Sequence, residues 1–241
     1  MITRVDGRAF DALRPVSIAT GYQSFAEGSV LIEQGRTRVV CSVSLDDKVP
    51  GFLRGSGTGW VTAEYAMLPR ATTTRTARDS AQGRISGRSH EIQRLIGRSL
   101  RAATDLKALG ERSLLVDCDV LQADGGTRTA AITGSYVALH LALRGMVDMG
   151  LIKAIPLRTK VAATSVSIFG GVVLLDPCYD EDMGADVDFN IVMNDRGELI
   201  EVQGTAEGKP FSKETLDSVL AIAGRGIKQL FEFQQRAMEL K

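Results

Sequence analysis

Apolar and polar positions change period several times along this chain, and each change predicts an element. Gly28-Ser-Val-Leu-Ile-Glu33 and Thr37-Arg-Val-Val-Cys-Ser-Val-Ser44 are rich in β-branched residues and flank Gln34-Gly35-Arg36, the pattern of a hairpin. Trp60–Tyr65 predicts another strand, followed by a polar, arginine-rich loop from Pro69 to about Gly87. The period then lengthens. Ile92, Ile96 and Leu100 recur at every fourth position, so a helix is expected from Arg88 to about Leu106. Val116-Asp-Cys-Asp-Val-Leu121 alternates as a half-buried strand does. After Asp124-Gly125-Gly126 comes an almost wholly apolar helix, Thr127 to about Asp148, whose alanine-rich body predicts burial on several faces.

The later part of the chain loosely repeats that order. Strands are expected near Val161–Phe169, Gly171–Asp176, Asp186–Met193 and Leu199–Gln203. A last helix follows from an N-cap at Ser212 to the end, interrupted at Gly224 and Gly226. This order implies a layered α+β fold, one domain over residues 1–241 with two similar βα halves.

Composition narrows the class. With 241 residues, 44% hydrophobic and 24% charged, the chain is that of a globular protein. At this length roughly 70–75% of the unfolded surface can be buried. The longest uninterrupted apolar run is Val219–Ala223, far short of the ~18 residues of a membrane span, so no membrane partner is expected. The N-terminus carries charges where a signal peptide needs an apolar stretch. Cys41, Cys118 and Cys178 are odd in number and form no CxxC, which excludes a disulfide framework or zinc ribbon and predicts small core hydrophobes. A reducing compartment, the cytoplasm, is the expectation.

Charge changes the picture, because a formal net charge of zero hides its distribution. From Leu68 to Arg101 there are eight arginines, and no lysine, against Asp79 and Glu91, a net +6. From Asp176 to Gly208 there are ten acids against Arg196 alone, a net −9. The arginines suit bidentate phosphate contacts, or pairing with acids in a subunit interface. Within the first long helix, Arg94, Arg98 and Arg101 form one stripe facing solvent or a partner, opposite Ile92 and Ile96. Arg88 lies off that stripe, in the first turn after Ser86-Gly87, and is the arginine of this helix placed to reach into a site.

Two further groups carry candidate chemistry. In Asp124-Gly125-Gly126-Thr127-Arg128-Thr129, two glycines turn the chain tightly ahead of a helix whose free N–H groups and dipole favour an anion; the alternative is a plain turn capping a core helix. The spacing is not that of a P-loop. In the acidic segment, Asp188 and Asn190 share one face of a strand, and Asp182 sits on a loop able to fold back beside Asp188. Carboxylates so clustered repel unless a cation lies between them, and oxygen-only ligands suit magnesium or manganese; the alternative is a solvated acidic loop. His140, inside the apolar helix, reads as a core residue and His90 as exposed, leaving little material for histidine catalysis. Arginines, an anion nest and carboxylates together point to phosphoryl chemistry.

These segments resemble a known family. Asp6-Gly7-Arg8, Leu13-Arg14-Pro15, Glu64-Tyr65 with Leu68-Pro69-Arg70, Ile85-Ser86-Gly87-Arg88, the run Glu91–Arg98, Asp117-Cys118-Asp119, Ala123–Arg128 and Glu201-x-Gln203-Gly204-Thr205 are similar to bacterial ribonuclease PH, over Asp6 to about Phe211. The resemblance implies the ribonuclease PH fold, like the second domain of ribosomal protein S5. It implies a phosphorolytic 3′→5′ exoribonuclease that trims transfer RNA precursors, runs in reverse as a nucleotidyltransferase, and assembles as a homohexameric ring, a trimer of dimers. It assigns orthophosphate to Arg88, Gly126, Thr127 and Arg128, and magnesium (or manganese) and catalysis to Asp182 and Asp188. It sets Arg70, Arg75 and Arg78, with Arg84, near transfer RNA and at subunit contacts. The loop Asp182-Met183-Gly184-Ala185 departs from the serine-containing family form. A hydrolytic metal-dependent exonuclease would need the carboxylates but no phosphate site, and an RNA-binding ring subunit would keep the basic surface but could lose the acids.

Overall fold

A computed structural model describes residues 3–78, 81, 83 and 85–239. Strands β1 (Val16–Thr20), β2 (Gly28–Gln34), β3 (Thr37–Asp46), β4 (Trp60–Met67) and β5 (Ser113–Gln122) form one sheet in the order β1-β2-β3-β5-β4. Its ladders are antiparallel except β4 with β5, which is parallel. Strands β6 (Val161–Phe169), β7 (Val172–Leu175), β8 (Val187–Asn194) and β9 (Leu199–Ala206) form a second, antiparallel sheet in the order β7-β6-β8-β9. Between β4 and β5 lie helices α1 (Gly87–Ala103) and α2 (Leu106–Leu109); α3 (Thr127–Asp148) joins the sheets, α4 (Tyr179–Met183) precedes β8, and α5 (Lys213–Glu239) ends the chain.

Helix α3 is the shared core. It packs on β2 and β3 on one side and β6 on the other, which explains why it is apolar nearly all round. By length and composition it is also able to cross a membrane, but most of it is buried inside the protein. Gly28 allows the close approach: a Cβ there would lie 2.1 Å from the Ala138 carbonyl oxygen.

The second sheet divides its residues by the two-residue period of a strand. Ala162, Val166, Ile168, Val187, Phe189 and Ile191 pack with Val219, Ala223 and Ile227 of α5. On the opposite face, Val161, Ala163 and Val192 join the core around α3. That face turns polar toward the start of α3, where Ser165, Ser167, Asp188 and Asn190 replace the apolar residues. Thr133 of α3 still bonds Ala163, but Thr129, one turn earlier, meets Ser165 at 3.3 Å. Beyond the helix N-terminus a cleft opens, lined in part by Ser165, Asp188 and Asn190.

Several sequence expectations change here. Helix α5 runs unbroken through Gly224 and Gly226; at Gly226 a Cβ would come within 2.9 Å of Leu175, so that glycine brings the helix onto β7. Helix α1 ends at Ala103, and Leu106 opens the short α2 capped by Asp105. Cys41 and Cys118 are buried cross-strand neighbours, but Cys178 is partly exposed and precedes α4. His140 is only half-buried. Arg101 leaves its predicted stripe: its guanidinium donates to the Val61 carbonyl at 2.8 Å and stacks 4.4 Å from the Trp60 ring.

Candidate active site

The cleft has a volume of about 890 Å³ and is walled by both halves of the chain. Arg88, Gly126, Thr127, Arg128, Asp182 and Asp188 all line it, so six residues named from the sequence meet in one place. Its floor is the turn into α3. Gly125 and Gly126 have φ of +78° and +64°, conformations that suit glycine and let the chain reverse within two residues. Gly126 is the N-cap and supplies no side chain, so the first N–H groups of α3 face the cleft without a capping oxygen. A helix start of this kind is favourable for an anion.

Side chains around this turn are held from behind. The Thr127 hydroxyl lies 2.8 Å from the Tyr65 hydroxyl, and burial pushes the Tyr65 phenol up, keeping it neutral. Arg128 Nη1 donates to Gln203 Oε1 at 3.1 Å and lies 3.3 Å from Glu91 Oε2. Gln203 Nε2 in turn donates to Glu91 Oε1 at 2.8 Å. Arg98 pairs with Glu201 at 2.7 Å while staying on the exposed face of α1. Arg88, in the first turn of α1, is exposed at the cleft rim.

The carboxylates come from the second half. Asp188 projects from the polar face of β8 and accepts a hydrogen bond from Ser167 Oγ at 2.8 Å. Asp182 sits on α4, where burial and the facing Asp188 push its carboxyl up to about 6, against the pull of Arg88 and Arg128. Asp188 is raised as well, chiefly by burial. Asp182 and Asp188 face one another across the cleft, and facing carboxylates favour a cation between them.

The loop arginines are elsewhere. Arg70 is exposed and donates to the Thr73 carbonyl at 3.0 Å, and Arg75 is exposed. Arg78 lines a neighbouring cleft of about 700 Å³ that shares Met67 and Arg88 with the first. Arg84 lies outside the described residues. Sequence reasoning gave no role to Glu91, Gln203, Tyr65 or Arg14, although all four stand in the recognisable motifs. Asp176 was counted with the acids; it is buried against Arg14 at 2.6 Å and forms no part of the carboxylate pair.

A cleft of this make-up, between two sheets about one buried helix, belongs to a chain that matches the 3′ exoribonucleases. Residues 12–144 match the first domain of the 3′ exoribonuclease family and residues 159–226 the second. The chain belongs to the ribonuclease PH family. It is 68% identical to ribonuclease PH of Dehalococcoides mccartyi, over 96% of each chain. It is 57% identical to that of Syntrophomonas wolfei, over 96% of this chain and 97% of the other. The fold is shared with solved structures of lower identity. Rice (Oryza sativa) Rrp46 superposes with a TM-score of 0.80 at 20% identity, covering 98% of this chain and 100% of that one. An Archaeoglobus fulgidus exosome with RNA bound to the active site gives 0.81 at 24%, over 95% and 92%.

Proposed function

We propose that the cleft carries out phosphorolysis at RNA 3′ ends. Orthophosphate attacks the last phosphodiester, the bond from phosphorus to the preceding 3′-oxygen breaks, and a nucleoside 5′-diphosphate leaves a shortened RNA. As a phosphate-dependent 3′→5′ exoribonuclease the protein trims transfer RNA precursors; run backwards, the same step adds nucleotides from nucleoside diphosphates. One observation carries this reading: the uncapped start of α3 opens onto the same cleft as Asp182 and Asp188.

Arg88, the Gly126 turn, Thr127 and Arg128 hold the attacking phosphate, with Tyr65 orienting the Thr127 hydroxyl and Glu91 and Gln203 orienting the Arg128 fork. Asp182 and Asp188 fit a magnesium ion: two oxygen donors in an open cleft suit a cation that keeps several waters. Bound there, the ion supplies neutralisation of charge on the phosphoryl oxygens, and manganese is the alternative. One aspartate of the pair passes a proton to the leaving 3′-oxygen. Arg70, Arg75 and Arg78 serve the transfer RNA stem and subunit contacts in a homohexameric ring of three dimers. The working compartment is the cytoplasm, with ribosomal RNA as a further substrate.

Incubating RNA with and without orthophosphate tests the reaction. Nucleoside diphosphates formed only with phosphate are expected; monophosphates formed without it overturn the reading. Asp182→Asn and Asp188→Asn are expected to stop turnover in both directions. A near-native rate at saturating magnesium removes that residue from the site.

A further inference from the structure

The cleft takes its phosphate end from one half of the chain and its carboxylate end from the other, so their spacing must be set by a contact between the halves. That contact is buried beneath the turn. Asp176, just after β7, is 1% exposed and has φ of +52°, the one left-handed non-glycine among the described residues. Such backbone persists only where its surroundings over-determine it, and it clusters at functional sites. Its carboxylate accepts from the Arg14 backbone N–H at 2.8 Å, from Nε at 3.0 Å and from Nη2 at 2.6 Å. The same guanidinium also reaches the turn: Nη1 donates to the Asp124 carbonyl, and Nη2, besides its bond to Asp176, to the Gly125 carbonyl at 3.3 Å. One planar fork thus bonds both the phosphate turn and the strand end that leads into α4.

The neighbouring contacts tighten this link. A Cβ on Gly125 would lie 2.5 Å from the Pro177 carbonyl oxygen, so the two backbones touch with no room for a side chain. Tyr179 N–H, the first of α4, donates to Asp124 Oδ1 at 3.4 Å. Glu181 fixes the middle of α4 by its bond to Arg4 at 2.6 Å. Asp182 follows directly.

We propose that Arg14 is a positioning residue for phosphorolysis, setting the distance between the orthophosphate held at Gly126–Arg128 and the carboxylate of Asp182. It acts through the peptide groups it holds, with a side chain only 3% exposed. The inference rests on the reading of the cleft given above. In-line attack is sensitive to placement: an error of about 1 Å costs on the order of a hundredfold in rate.

Two variants of the full chain test it. Asp176→Asn keeps a residue that tolerates positive φ but removes the charge, and Arg14→Lys keeps the charge but removes the fork. Arg101→Ala, which loses the Trp60 stack at the far end of α1, supplies a destabilised control away from the cleft. For each, Tm, kcat, KM for orthophosphate and Kd for a short RNA are measured. Both clamp variants are expected to lose about tenfold or more in kcat and to raise the orthophosphate KM, with RNA Kd unchanged. Arg101→Ala is expected to keep native constants at a similar loss of Tm. Clamp variants whose constants stay native, or change no more than those of Arg101→Ala, overturn the proposal. Should Arg14→Lys fail to fold, Asp176→Asn carries the same comparison. Arg128→Ala is assayed alongside: an unchanged orthophosphate KM there defeats the reading of the cleft and this proposal with it, whereas a raised KM there with native clamp variants defeats the positioning role alone.

Discussion

Two regions of this molecule gather guanidinium groups, and they hold them in opposite ways. At the cleft, Arg128 is tied to Glu91 and Gln203 and Arg14 to Asp176, each at defined distances. In the loop after β4, Arg70, Arg75 and Arg78 are exposed, with Arg70 turned back onto the nearby Thr73 carbonyl. A fixed guanidinium marks a point and recognises one small ion by geometry. Exposed ones supply a field, suited to the long, regular charge of a polymer. On the reading proposed above one residue type serves both purposes, and Glu91 and Asp176 are the acids that fix Arg128 and Arg14.

The comparison predicts unequal consequences for equal substitutions. The largest is at Arg128: Arg128→Ala is expected to raise the orthophosphate concentration for half-maximal rate by roughly ten- to a hundredfold, the worth of one charged hydrogen bond, with RNA binding retained. Initial rates across a phosphate series measure this, and an unchanged dependence takes Arg128 out of the phosphate site. A smaller effect is expected from neutralising Arg75 and Arg78 together. Trimming of a transfer RNA precursor should fall more than trimming of a short oligonucleotide, and the salt slope of precursor binding should drop by about 0.9 for each phosphate that the variant no longer neutralises. Titrations at several salt concentrations, beside the assembled mass, check it. Equal losses on both substrates with an intact assembly remove the stem-binding role; equal losses with a broken assembly leave only the assembly role.

The smallest effect separates the two regions by acidity. Burial pushes the Glu181 carboxyl up, but the Arg4 hydrogen bonds, the Cys178 N–H and the charges of Arg4 and Arg8 outweigh it and bring it down to about 2. A carboxyl held lower in the folded chain than its ordinary 4.5 adds stability above 4.5, and that stability fades as pH falls toward about 2. Glu181→Gln should therefore flatten the loss of stability between those pH values, and Arg75→Ala should leave it unaltered. Denaturant unfolding at a series of pH values decides this; parallel curves for Glu181→Gln and the native chain refute it.

Strong periodic signals made much of this molecule readable beforehand. Helix α3 and strand β6 have the expected bounds, because one is apolar throughout its length and the other is a continuous β-rich run. Strand β1 was not foreseen: its five residues at the sheet edge alternate only between half-buried and exposed. Helix α4 is likewise too short to show a period. Gly226 was read as a break because glycine costs a helix about 1 kcal/mol, but here the missing Cβ admits Leu175. The site residues at the cleft surface were legible because motifs carry them. The Arg14–Asp176 pair was not, since its members stand 162 positions apart and no local pattern joins them.

That separation bears on how the enzyme comes into being. Arg14 is made early, its contact at Asp124 lies 110 positions later, and Asp176 later still. Closing loops of this length is costly until other contacts reward it, so the clamp joins late in folding. Synthesis runs from the N-terminus, so Asp182 and Asp188 are made after the turn at Gly125 and Gly126. The two walls of the cleft therefore cannot meet until both stretches of chain have been made, and every shorter nascent chain lacks one of them.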